Sequence, residues 1–215
     1  MLIVALTGGI ATGKSIVARV LSEKGCFVQN ADLVAHELMF PGEELWQALV
    51  EHFGQIILNE DRTINRKKLG QIIFKNEIER KFLNAITHPQ ILKKIREKIV
   101  ELERSGKYEI YVTEAALVIE AGYHYFYDRI ILTYCRPEIQ LARLCQRDGI
   151  SISQAKEKIQ AQLKNEQKIP FADYLIETSG SLAQTIEQAE KVYFNLYQDL
   201  LLKKSGQPFK NRPKS

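Results

Sequence analysis

A short glycine-rich stretch, GGIATGKS at residues 8–15, constrains the fold of this chain more than any other part of its sequence. It has the spacing of a phosphate-binding loop (P-loop): a glycine, four residues, a second glycine, then lysine and serine. The apolar run LIVAL at 2–6 precedes it, and an amphipathic segment from Ser15 to Lys24 follows it. Strand, glycine loop and helix therefore come in the order that a P-loop requires. The alternative is a glycine-rich turn that only links a strand to a helix.

The residue types in this loop explain how it would hold an anion. Glycines let backbone N–H groups turn toward one ligand, and the N-terminus of the following helix adds the positive end of its dipole. Lys14 supplies a mobile charge for terminal phosphates, and the Ser15 hydroxyl can ligate magnesium. The predicted ligand is a nucleoside triphosphate. The residues predicted to bind it are Gly8, Gly9, Ile10, Ala11, Thr12, Gly13, Lys14 and Ser15.

Length and composition indicate one cytoplasmic α/β domain. A chain of 215 residues is long enough for one large core with insertions. No apolar run approaches the roughly 20 residues that span a bilayer, and Met1 leads directly into the first apolar run, so we expect no membrane association. The three cysteines, Cys26, Cys135 and Cys145, are widely spaced, as is typical of reduced cytosolic thiols.

The net charge of +4 is concentrated at one end of the chain. Residues 203–215 hold five lysines and arginines and no acidic residue, which leaves the remainder close to neutral. We interpret this end as a mobile basic tail; nucleic-acid binding through it is the alternative. The expected partners are therefore small molecules and not nucleic acid. Separately, we expect a monomer or a weak homo-oligomer.

Five strand-like runs alternate with helical patterns. The later four are at 26–29, 109–113, 129–135 and 173–176. This alternation predicts an α/β fold with a five-stranded, doubly wound parallel sheet, whose ligands bind at the carboxyl ends of the strands. The long stretch between the second and third strands predicts a helical insertion. Its last part, 78–102, predicts one or two helices broken around His88-Pro89, because proline disfavours helical geometry in the preceding residue.

Two missing signatures narrow the class of P-loop protein. A GTPase would need an Asn-Lys-x-Asp segment and a transporter ATPase a Ser-Gly-Gly signature helix, and the sequence has neither. Small-molecule kinases remain, and these need a carboxylate near the γ-phosphate. Asp32, just beyond the second strand, is our candidate base; alternatively it caps a helix that begins near Leu33. Glu114, at the end of the third strand, could hold magnesium through water or be an exposed strand end.

The segment after the fourth strand carries two arginines on a predicted helix with Pro137 in its first turn. Arg143 and Arg147 are four residues apart, which places both on one face. This face is either a kinase lid, which supplies charge to the transferring phosphoryl group, or an ordinary solvated surface.

In this order, the motifs resemble those of the dephospho-coenzyme A kinases, which catalyse the last step of coenzyme A biosynthesis. The likeness covers nearly the whole chain. It is carried by residues 4–10, 13–15, 31–32, 41–42, 52–54, 66, 69, 74, 88–89, 117, 120, 140–141, 143, 146–147, 162, 172–176 and 180.

The resemblance implies phosphorylation by ATP of the ribose 3′-hydroxyl of dephospho-coenzyme A, with Mg²⁺. The catalytic residues that we predict are Asp32, Lys14, Arg143 and Arg147. The substrate-binding residues are Asp32, His88, Leu117 and Glu120, and the metal-binding residues are Ser15 and Glu114. The predicted P-loop kinase domain, 1–203, has a core (1–33, 103–137, 169–203), a coenzyme A-binding insertion (34–102) and a lid (138–168), and it precedes a flexible tail, 204–215.

Three positions depart from the family pattern. Asn30 stands where the family usually has aspartate, Ala11 where it has glycine, and Ala116-Leu-Val where it has Pro-Leu-Leu. Ala11 is tolerated at negative φ but costs about 1 kcal/mol or more at positive φ. Two rivals stay open: a kinase for another small hydroxyl acceptor such as a nucleoside, and a nucleotide-binding regulator with weakened catalysis, which Asn30 and Ala116 motivate.

Overall fold

The computed structural model describes residues 1–209, except for the side chain of Lys75. The strands are β1 (Leu2–Gly8), β2 (Phe27–Asn30), β3 (Ile110–Glu114), β4 (Arg129–Tyr134) and β5 (Tyr174–Glu177). The α-helices are α1 (Lys14–Glu23), α2 (Ala31–Leu38), α3 (Glu44–Phe53), α4 (Arg66–Lys75), α5 (Glu77–Ser105), α6 (Pro137–Asp148), α7 (Ile152–Gln160), α8 (Asn165–Lys168) and α9 (Leu182–Lys204).

The five strands form one parallel sheet in the order β2-β3-β1-β4-β5, which confirms the predicted fold class. β1 is central and pairs with β3 and β4, with Leu6 opposite Glu114 and Gly8 opposite Thr133. Because parallel strands end at the same edge, the P-loop after β1 and the residues that follow β3 and β4 share the ligand-binding edge of the sheet.

The central strand is buried on both faces, as its continuous apolar pattern predicts. Val4 and Leu6 pack in a core with side chains of α1 and α9, whereas Ala5 packs on the opposite face with Val118 and Ile130. Cys26 also lies in the larger core, where burial raises the pKa of its thiol to about 12.

The chain divides into two compact units. The first contains Met1–Gln29 and the residues from Leu102 onward, and the second is Asn30–Glu101. The second unit has an apolar core of its own, built around Leu45, Leu49 and Ile57. The insertion was predicted at 34–102, whereas the second unit begins at Asn30 and therefore includes Asp32.

The predicted break at His88-Pro89 is wrong, because α5 runs through Pro89 without interruption. A proline inside a helix cannot donate a hydrogen bond to the carbonyl four residues earlier. Here that carbonyl belongs to Ala85, an exposed residue, so that water can replace the missing donor. The tertiary fold thus overrides the local preference for a helix end.

The predicted tail begins within ordered structure. Lys204 is the last residue of α9 and forms an ion pair with Glu109. Phe209 packs against the core of the first unit, and the Arg129 guanidinium carbon lies 4.2 Å from its ring centroid. The rest of the predicted tail, 210–215, lies outside the described residues. Within the described chain, no helix combines the length and the apolar character needed to cross a membrane.

Candidate active site

The P-loop connects β1 to α1 and needs its glycines. A Cβ at Gly8 would lie 2.3 Å from Oγ1 of Thr133 and 2.4 Å from its carbonyl oxygen, which is closer than real contacts allow. Gly13 has φ 83°, a conformation that side chains rarely adopt. The strand, loop and helix therefore follow one another as the sequence predicts, and the loop packs tightly against β4.

Lys14 opens α1 and folds back over the loop. Its Nζ donates to the carbonyl oxygens of Gly8 at 2.9 Å and Gly9 at 3.0 Å. Ser15 follows it in the first turn and is exposed. The ammonium group, the first amides of α1 and the helix dipole thus place positive charge at one point, which is the electrostatic requirement for binding phosphate.

The sequence analysis missed Thr133 and Thr178, two threonines that hold the loop in place through Thr12. Oγ1 of the fully buried Thr12 hydrogen-bonds to the carbonyl of Gly9 at 2.8 Å and to Oγ1 of Thr133 at 2.9 Å. Thr178, which follows β5, donates from Oγ1 to the carbonyl of Thr12 at 3.0 Å. The signal for Thr133 was available, since it is a polar residue that directly follows the apolar run Ile130–Leu132 of β4.

Ala11 has a positive φ of 59°, the backbone conformation that is costly for a residue other than glycine. A residue with a Cβ is strained in this left-handed region by about 1–2 kcal/mol, whereas glycine is not. The departure from the family glycine is therefore tolerated at an energetic penalty that the rest of the loop must offset.

We expect Ala11→Gly to raise the free energy of unfolding by about 0.5–1 kcal/mol, because relief of strain outweighs the greater entropy of an unfolded glycine. Denaturant titration measures this change. Ala142→Gly, at an exposed position inside α6, is the control and should lower stability by about 1 kcal/mol. A loss of stability in both variants would contradict the assignment of strain to position 11.

The two predicted lid arginines point to different partners. Arg143 donates from Nη1 to Oγ1 of Thr178 at 3.1 Å and from Nη2 to its carbonyl at 2.7 Å. Arg147 is exposed, and its Nε donates to Asp148 at 2.8 Å. Hydrogen bonds from Arg147 and Lys158 lower the pKa of Asp148 to about 2. Of these two arginines, Arg143 is the one that the described contacts link to the P-loop, through Thr178.

Glu120, a predicted substrate-binding residue, is engaged inside the first unit. Its Oε1 lies 2.6 Å from Nζ of the fully buried Lys168 and accepts the N–H of Leu163 at 3.3 Å. Leu117, three residues earlier, is 38% exposed. The carboxylate of Glu120 thus anchors the segment after α7 to the loop after β3.

We expect Glu120→Gln to lower the free energy of unfolding by about 3 kcal/mol, because the buried ammonium of Lys168 would lose the carboxylate with which it pairs. Chemical denaturation provides the measurement. Glu187→Gln is the matched control, since its pair with Lys191 is exposed and should contribute less than about 1 kcal/mol. Equal small losses would show that the buried pair has no special role in stability.

Asp32 lies in the first turn of α2, and its side chain is exposed. The N-cap of this helix is Asn30, whose Oδ1 accepts the N–H of Asp32 at 2.8 Å and that of Leu33 at 3.2 Å. The alternative that Asp32 caps the helix is therefore wrong. The departure from the family aspartate at position 30 preserves the capping function, because Asn and Asp are comparable N-caps.

Two further predicted residues, His88 and Glu114, lie in different elements, α5 and β3. His88 is half-buried in α5, and burial lowers the pKa of its imidazole. Glu114 ends β3 at the ligand-binding edge of the sheet. In the described part of the chain, no group of three or more His, Cys, Asp and Glu side chains is arranged as a metal site. The hydroxyl of Ser15 and the carboxylate of Glu114 are oxygen ligands of the kind that Mg²⁺ prefers.

Comparison with solved structures defines the class of protein to which this fold belongs. A dephospho-CoA kinase from Campylobacter jejuni matches with a TM-score of 0.67 and 29% identity, over 92% of this chain and 98% of that one. A shikimate kinase from Acinetobacter baumannii shares the fold, with a TM-score of 0.54 and 17% identity over 93% and 94% of the two chains. The fold and its phosphate-binding loop are those of a P-loop kinase.

Comparison with known sequences then gives the family. The dephospho-CoA kinase family model matches residues 2–184. A dephospho-CoA kinase from Carboxydothermus hydrogenoformans is 44% identical over 186 residues, which are 86% of this chain and 90% of that protein. The chain belongs to the dephospho-CoA kinase family, a family of phosphotransferases.

Proposed function

We propose that this protein transfers the γ-phosphoryl group of ATP to the ribose 3′-hydroxyl of dephospho-coenzyme A, and so forms coenzyme A and ADP. Family membership over residues 2–184 is the observation that carries this proposal. The geometry of the P-loop supports it, because Lys14 and the amides that open α1 form a site for a polyphosphate.

In this proposal, residues 8–15 bind ATP. The loop amides and Lys14 contact the β and γ phosphates and stabilise the charge that shifts toward the leaving oxygen. Ser15 and Glu114 would hold Mg²⁺, directly or through water. A bound magnesium ion would withdraw charge from the phosphate oxygens.

Asp32 is proposed to orient the acceptor hydroxyl and accept its proton. The hydroxyl oxygen forms a bond to the γ-phosphorus while the bond from that phosphorus to the bridging oxygen of ADP breaks. The support for this role is that Asp32 is exposed and lies two residues beyond the end of β2. The cap by Asn30 fixes the backbone that carries the carboxylate.

Other predicted residues complete the proposed site. Arg143 and Arg147 offset charge on the equatorial oxygens of the transferring group, and Arg143 has the structural link through Thr178. His88, Leu117 and Glu120 contact the acceptor, and Glu120 would do so while sharing its carboxylate with Lys168. The proposed enzyme is cytoplasmic, acts on small molecules and is a monomer or a weak homo-oligomer.

ADP release on addition of dephospho-coenzyme A tests the proposal, with adenosine as the control acceptor. We expect release with dephospho-coenzyme A and no increase above the ATP-only background with adenosine. The opposite pattern would favour the nucleoside kinase. Binding of ATP without release in either case would favour the regulator, which Asn30 and Ala116 motivated.

A further inference from the structure

Two glutamine side chains hold the backbone of Ile10 in the P-loop. Oε1 of Gln162 accepts the N–H of Ile10 at 2.7 Å, and Nε2 of Gln140 donates to its carbonyl oxygen at 2.8 Å. Both backbone groups of a single loop residue are therefore satisfied by side chains from distant parts of the sequence. We call this arrangement the glutamine bracket.

The bracket connects the loop to both arms of the predicted lid, 138–168. Gln140 lies in α6 and is 7% exposed, whereas Gln162 follows the end of α7. The two arms are helices α6 and α7, which pack against each other. A displacement of either arm would therefore pull on one side of Ile10.

Gly9 gives independent support, because its lack of a side chain makes room for the bracket. A Cβ at Gly9 would lie 2.8 Å from Nε2 of Gln140 and 3.3 Å from Cγ2 of Thr12. Gly9 does not have the positive φ that would require glycine for conformational reasons. A side chain at position 9 would therefore have to displace the Gln140 amide from Ile10.

The bracket also explains how the loop retains a strained residue. Strained backbone persists only where the surrounding structure holds it. Ala11, at φ 59°, lies between two held residues: the bracket fixes Ile10 on one side, and the hydrogen bonds of Thr12 fix the other. Without the bracket, the loop is free to relax away from the conformation that aligns its amides.

We propose that Gln140 and Gln162 are positioning residues, which hold the P-loop in its phosphate-binding conformation and couple that conformation to the lid. Their place in phosphoryl transfer rests on the proposed function. Their effect on nucleotide affinity does not, because it can be measured without an acceptor.

Calorimetric titration with Mg-ATP tests the bracket in Gln140→Ala and Gln162→Ala. Each variant loses one hydrogen bond that aligns the loop, so we expect the affinity for ATP to fall about tenfold in each. Because both act on Ile10, the double variant should lose less than the product of the two effects. In steady-state assays KM for ATP should rise more than kcat falls.

Gln188→Ala is the matched control. The amide of Gln188 makes the same two kinds of bond to one residue, from the N–H of Glu177 at 2.9 Å and to its carbonyl at 2.8 Å. This variant should lower thermal stability with ATP affinity within about twofold of wild type. Gln140→Met, which fills the space without the donor, replaces Gln140→Ala if the alanine variant does not fold.

The outcomes are distinct. Loss of ATP affinity in both bracket variants but not in the control supports the proposal. Lower stability in all three with ATP affinity unchanged would overturn it, as would an effect of only one bracket variant. If the wild-type protein binds ATP but does not phosphorylate dephospho-coenzyme A, the proposed function fails while the bracket is still decided by the titration.

Discussion

Asp32→Asn is expected to lower turnover of dephospho-coenzyme A by about 10²–10⁴-fold, the usual contribution of a general base. Asparagine is nearly isosteric but cannot accept the hydroxyl proton. The side chain is exposed and does not cap α2, so its replacement should leave the helix in place. Affinity for ATP should remain within about twofold, because the proposed ATP contacts are in the P-loop. Single-turnover assays at saturating acceptor, with ATP titration in parallel, measure both quantities.

Glu37→Gln provides the control for this experiment, since Glu37 is another exposed carboxylate on the same helix. Both variants remove one negative charge, but Asp32 lies in the first turn, where a negative charge stabilises the helix by about 0.3–1 kcal/mol. A small loss of stability in Asp32→Asn is therefore expected and separate from the loss of rate. Equal turnover in the two variants would remove Asp32 from the mechanism.

Lys14→Met is expected to reduce kcat by about 10²–10³-fold and also to weaken ATP binding. Methionine retains the length of the stem but removes the ammonium group, which lies against the carbonyls of Gly8 and Gly9 in the described structure. The proposed role of this charge is to stabilise the β and γ phosphates, and its contribution is larger in the transition state, where charge moves toward the leaving oxygen. Steady-state kinetics with varied ATP gives both parameters.

Lys24→Met tests whether the loss at position 14 is specific. Lys24 is the C-cap of α1 and forms an ion pair with Glu190, so this variant changes the same charge at the other end of the helix. Its kcat and KM for ATP should match those of wild type. If Lys14→Met retained wild-type kcat, the loop would bind phosphate without taking part in its transfer.

The fold was largely predictable because its signals are local. The strands are short and mostly apolar, although β2 carries Gln29 and Asn30. The order strand, glycine loop, helix needs only neighbouring residues to be recognised. Pro89 shows the limit of such signals. Its local preference predicts a break, whereas the packing of α5 supplies enough stability to carry the helix through it.

The supports of the site were not predictable, because they come from distant parts of the chain. Gln140, Gln162 and Thr178 reach the P-loop across more than a hundred residues of sequence, and no spacing rule reports such contacts. The contacts of Glu120 were also not predictable. Its motif indicated function, but only the structure shows the buried lysine with which it pairs. Asn30 differs again, since its capping role follows from the helix start at Ala31.

The most direct test of the account is the structure of the product formed from ATP and dephospho-coenzyme A. Mass spectrometry shows whether a phosphate has been added, and phosphorus NMR with proton coupling shows which ribose oxygen carries it. We predict one new phosphomonoester at the 3′-oxygen, formed by the wild-type protein and strongly reduced with Asp32→Asn. A phosphate at another position, or no new ester from a protein that binds ATP, would contradict the account.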